Sequence, residues 1–108
     1  MSVLDKVAEK AAVNYAGENA ALDPATIGVF ADLIFQLISA FQQCKAAKDA
    51  QKDINNPGPI QRVRARQMVR ENMGRKDFRQ EGDKVLQALL DTGKKLTVQE
   101  VEDLYKEV

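Results

Sequence analysis

Residues 23–54, DPATIGVFADLIFQLISAFQQCKAAKDAQKDI, constrain the fold more than any other stretch of the chain. Their apolar run from Ile27 to Phe41 reads as the front of one long helix. Asp23 can accept bonds from the open N–H groups of the first turn, and Pro24 stands at the first helical position, where its missing donor costs nothing. Leu22 and Ile27 flank that cap at the spacing of a hydrophobic staple. Asn55, Asn56, Pro57, Gly58 and Pro59 cannot continue the helix. A central helix over about residues 24–54 follows, roughly 45 Å long at 1.5 Å per residue. In a chain of 108 residues it must be the spine of the fold.

Within the spine Ile27, Phe30, Ile34, Phe35, Leu37, Ile38 and Phe41 cover most of the circumference, while Asp32, Gln36, Ser39 and Gln43 fall on one narrow polar stripe. A helix apolar on about three sides needs several partners: other helices, another subunit, or lipid. Burying Phe30, Ile34, Ile38 and Phe41 alone is worth on the order of 6–12 kcal/mol before entropy. Lipid is the weakest of the three expectations, since Ala25–Ala40 is a little short of the ~20 residues of a span and contains Asp32.

The rest of the chain reads as four more helices. From Ser2 to Ala16 a small-residue stripe of Val3, Leu4, Val7, Ala8, Ala11, Ala12 and Tyr15 predicts an amphipathic helix that the spine can approach closely, with Gly17 as a candidate terminator, although Ala20 and Ala21 could carry the helix on to Leu22. A third helix runs from about Ile60 to Met73 on weak apolar positions: Ile60, Val63, Ala65, Met68, Val69 and Met73. A fourth opens at Asp77 with Gln80 as its capping partner and turns Phe78, Val85, Leu86, Leu89 and Leu90 inward. This reading puts Gly82 inside that helix and Gly93 just past its end. The last helix carries the sharpest local signature: Thr97 and Glu100 as a capping box, Leu96 and Val101 as a staple, then Leu104, Tyr105 and Val108 inward. No strand-like alternation or repeat occurs. The expectation is an all-α single domain, residues 1–108, built as a compact bundle of about five helices.

Charge is neutral overall but unevenly placed. Residues 1–54 are net −2, residues 55–80 net +5 and residues 81–108 net −3, and all six arginines (Arg62, Arg64, Arg66, Arg70, Arg75, Arg79) fall in the middle block. Segregation on this scale makes a directed field. Arginine favours planar, bidentate partners such as carboxylate or phosphate. Arg62, Arg66 and Arg70 recur every fourth residue, with Arg64 beside them, so the block reads as a solvated face or one paired with the acidic C-terminal third, as a docking face for an acidic protein surface, or as a phosphate-contacting face. No aromatic alternates with these arginines for base stacking, which favours protein over nucleic acid as the partner.

Chemistry is sparse. The chain has no histidine, two serines and one cysteine. The usual general base is absent and no Ser–His or Cys–His pair can form. Glu100, Glu102, Asp103 and Glu107 read as a solvated helix face. Residues 91–100, DTGKKLTVQE, have the outline of a calcium loop but put Lys94 where its glycine belongs. No cofactor or metal is expected, Cys44 reads as an inert packed thiol, and MSVLDKVAEK lacks the features of a secretion signal. The sequence therefore predicts a non-enzymatic structural protein, a subunit of a larger homo- or hetero-complex such as a virion or a secretion machine. It would lie in the cytoplasm or within such a particle and pair with its own copies or other subunits. The alternatives are a nucleic-acid adaptor working through Arg62–Arg79, and a membrane-inserting or ejected protein using Ile27–Phe41.

Overall fold

The computed structural model describes residues 2–17, 23–44, 52, 59–72 and 81–107. They form five helices: α1 (Val3–Ala16), α2 (Pro24–Cys44), α3 (Pro59–Asn72), α4 (Gly82–Lys94) and α5 (Val98–Glu107). Among the described residues 91% are helical and none is in a strand, as an all-α bundle requires. The radius of gyration, 12.8 Å, matches the ~13 Å of a compact domain of this length.

Short polar side chains start three of the helices where the sequence places them. Ser2 Oγ accepts the Asp5 N–H at 3.2 Å, Asp23 Oδ1 the Thr26 N–H at 2.6 Å, and Thr97 Oγ1 the Glu100 N–H at 3.1 Å. Leu96 and Val101 are both buried, so the staple before α5 forms as well. Gly17 ends α1 at φ 91°, a left-handed backbone that residues with a Cβ rarely adopt, and its N–H reaches Val13 O at 2.7 Å. Leu22, Asp77, Phe78, Gln80 and Val108, and the spine beyond Cys44 apart from Lys52, lie outside the described residues.

α1 and α2 form the central pair. α1 also packs on α4 and α5, α3 rests on α2 and α4, and α5 touches α2. Val7, Ala8, Ala11 and Ala12 of α1 are fully covered, and the alanines let α2 come close. α2 answers with Phe30, Leu33, Ile34, Ile38 and Phe41, an arc of about 140° at 100° per residue. Tyr15 stacks on Phe30, ring centroids 5.6 Å apart and planes tilted 46°. The spine is thus enclosed along one broad face rather than three. Leu33, absent from the expected apolar set, is 1% exposed, whereas Phe35 is 41% exposed.

Other positions depart from the sequence reading. Gly82 is the first residue of α4, after Glu81 with extended-side φ of −118°, so it carries no interior glycine penalty. Gly93 lies inside α4 and is buried; the helix runs on to Lys94 and leaves through Lys95 in a right-handed conformation. There the Lys95 N–H turns back to Thr92 O at 3.0 Å, a tightened last turn that needs no left-handed glycine. Val63 is 66% exposed rather than inward.

Polar contacts between distant segments lock α1 in place. The Glu107 carboxylate accepts the Val3 and Leu4 N–H groups at 2.8 and 2.9 Å, one oxygen each. Lys10 Nζ meets Glu100 Oε2 at 2.9 Å, and Asn14 Nδ2 donates to Thr92 Oγ1 at 2.7 Å. The Tyr15 hydroxyl donates to the Glu81 carboxylate.

Candidate docking surface

α3 is seated by two small buried side chains four residues apart, Ala65 and Val69, at 1% and 2% exposure. That seat leaves the flank and the far side of the helix outward. Arg62, Arg66 and Arg70 follow at i, i+4 and i+8, all exposed, along about 12 Å of helix. With Val63 and Gln67 they line an open groove of about 610 Å³. Arg66 Nε approaches Asp83 Oδ1 of α4 at 3.7 Å, both side chains solvated, an ion pair worth about 0–1 kcal/mol. Arg62 and Arg70 have no ion-pair partner among the described residues.

Arg64 is also exposed but lies about 160° around the helix from Arg66, so it does not belong to this face as the sequence reading had it. Arg75 and Arg79 lie outside the described residues. The basic face is therefore three arginines around one exposed valine.

The spine residues divide between core and surface. Phe30, Ile34, Ile38 and Phe41 are buried, Ile27 and Leu37 are half-buried, and Phe35 alone of the set is exposed. The packing of the four buried residues is spent inside the fold. On the outer side of α2, Asp32 is exposed and Gln36 and Ser39 are half-buried; the Gln43 side chain lies outside the described residues. Gly28 is exposed on the same side. The segment Pro24–Gln42, mean hydropathy 1.6, is long and apolar enough to cross a membrane by length and composition, a test that the core helix of a soluble fold also passes.

A second depression, about 410 Å³, lies between α1 and the end of α4. Its rim mixes Lys6, Lys10 and Lys95 with Glu9, and Lys10 is already held by Glu100. Glu100, expected on a solvated face, is half-buried, and the Lys10 hydrogen bond holds its carboxyl below the ordinary value. Glu107, expected on the same face, caps α1 instead. Nothing local in sequence announces either contact, because their partners lie about ninety to a hundred residues away. Among the described residues no three His, Cys, Asp or Glu side chains converge on a point that would hold a metal ion.

Comparison with known protein families, curated proteins and solved structures returns no match for this chain.

Proposed function

We propose that the protein is a non-enzymatic assembly subunit, a firmly packed helical module that docks through α3 onto a carboxylate-rich protein surface in a larger complex. The observation that carries this reading is the face of α3: three exposed arginines at four-residue spacing around an exposed valine, on a helix anchored by the buried Ala65 and Val69. Guanidinium groups pair with carboxylates through two parallel hydrogen bonds and lose less freedom per bond than lysine does. Exposed ion pairs are individually weak, so the arginines set orientation and association rate while apolar contact at Val63 adds affinity.

The test compares the wild-type protein with Arg62→Glu/Arg66→Glu/Arg70→Glu for association state and for DNA and RNA affinity across salt. The expected result is association that weakens in the triple variant while the helical circular-dichroism spectrum is kept. Nucleic-acid binding through the same three side chains predicts a log–log salt slope of about −3. Micromolar nucleic-acid affinity near physiological salt, lost in the variant with association unchanged, refutes the docking reading.

A further inference from the structure

We infer that the carboxylate surface recognised by α3 is α5 of a second copy of this chain, so that the protein associates head to tail. This deepens the docking reading above and rests on it. The two helices carry charge of opposite sign. The outward face of α3 presents Arg62, Arg66 and Arg70, and α5 offers Glu102 and Asp103 against one lysine, Lys106. Each also bears one of the three large apolar side chains that are exposed among the described residues, Val63 on α3 and Val98 on α5. Val98 and Glu102 are four residues apart, hence neighbours on one outward face, with Lys106 following Glu102 at the same spacing. Glu102 is exposed, and no contact within the molecule claims it among the described residues.

The fold prevents one molecule from satisfying this match alone. Of Arg62, Arg66 and Arg70 only Arg66 reaches a carboxylate, and that carboxylate is Asp83 of α4 rather than one on α5. Two other carboxylates of α5 are engaged within the molecule, Glu100 with Lys10 and Glu107 with the start of α1, which fixes α5 and leaves Glu102 and Asp103 to carry its negative charge. A twofold pairing of α3 with α3 sets arginine against arginine and is repulsive. Head-to-tail pairing of α3 with α5 of the next copy is a heterologous contact, which leaves one free face of each kind at the ends of the chain.

Sedimentation velocity at low salt tests this with two sets of exposed substitutions, Arg62→Gln/Arg66→Gln/Arg70→Gln on α3 and Val98→Lys/Glu102→Lys on α5, each first shown to be folded by circular dichroism. The wild-type protein is expected to grow past a dimer between about 10 μM and 1 mM, the range of weak contacts, and to fall back as salt screens the charges. Each variant alone should associate about tenfold or more weakly. Their equimolar mixture should form a dimer and stop there, because each partner retains one working face. A wild-type protein that stays monomeric at 1 mM, or closes as a dimer, overturns the inference. If the α5 variant associates like wild type while the α3 variant does not, docking through α3 stands and α5 is not its partner. If the α3 variant associates like wild type, both readings fall.

Discussion

Replacing Glu107 by alanine should destabilise the helix at the other end of the chain. α1 opens with four N–H groups that have no partner within the helix. Glu107 takes those of Val3 and Leu4 at 2.8 and 2.9 Å, Ser2 Oγ takes that of Asp5, and Ser2 O takes that of Lys6 at 3.2 Å. In Glu107→Ala two donors return to water. A lost side-chain cap costs about 0.5–2 kcal/mol, and a carboxylate at a helix N-terminus adds about 0.3–1 kcal/mol through the macrodipole. Against this, Glu107 is the last residue of α5, where the same dipole effect disfavours a carboxylate by a few tenths of a kcal/mol. The net expectation is a loss of about 1–2 kcal/mol. At about 2.1 cal/mol/K per residue this lowers the melting temperature by about 4–9 °C. Urea and thermal unfolding followed by circular dichroism measure it, with Glu102→Ala on the same helix as a control expected within about 0.5 kcal/mol of wild type. Glu107→Gln, which keeps one acceptor oxygen but no charge, should fall between. If Glu107→Ala matches the Glu102→Ala control, the cross-chain cap contributes nothing to stability and the argument fails.

Phe30→Ala removes a fully buried ring and its stacking with Tyr15, and should cost about 3–5 kcal/mol in urea unfolding; a loss below about 1 kcal/mol contradicts its place in the core. Glu100 has a folded pKa below its ordinary 4.5, so its contribution is fully present above the unfolded pKa and disappears as pH falls through the folded one. Both side chains of the Lys10–Glu100 pair are partly solvated, so the effect is about 0.2–1 kcal/mol, read as a smaller drop in urea midpoint on acidification for Glu100→Gln than for wild type. With the apolar face of α2 packed inside the fold, the purified protein should stay out of liposome fractions in flotation. Co-flotation of wild type that is lost in a folded Ile34→Asp variant reverses that expectation.

The helices were legible in the sequence because their signals are local. A capping side chain and the donor it accepts are three residues apart, as at Ser2, Asp23 and Thr97, and an apolar stripe repeats within one or two turns. Gly17 stood out as one of two possible ends for α1, and the structure ends the helix there. The exposed line of Arg62, Arg66 and Arg70 followed from four-residue spacing alone. Spacing read too loosely also put Arg64 on that line, although two residues on a helix lie nearly opposite.

Tertiary structure decided what no short window contains. It chose which arc of α2 is covered, bringing Leu33 in and leaving Phe35 out, because only the positions of α1, α3 and α5 set that arc. It moved Val63 to the surface, since Ala65 and Val69 make the closer seat for α3. It kept Gly93 within α4, where the tightened turn at Lys95 ends the helix instead. It also turned Glu100 and Glu107 from apparent solvent-facing charges into fasteners for α1. Those contacts join residues about ninety or more positions apart, and only the packed chain brings such groups within the 2.8–2.9 Å at which they bond.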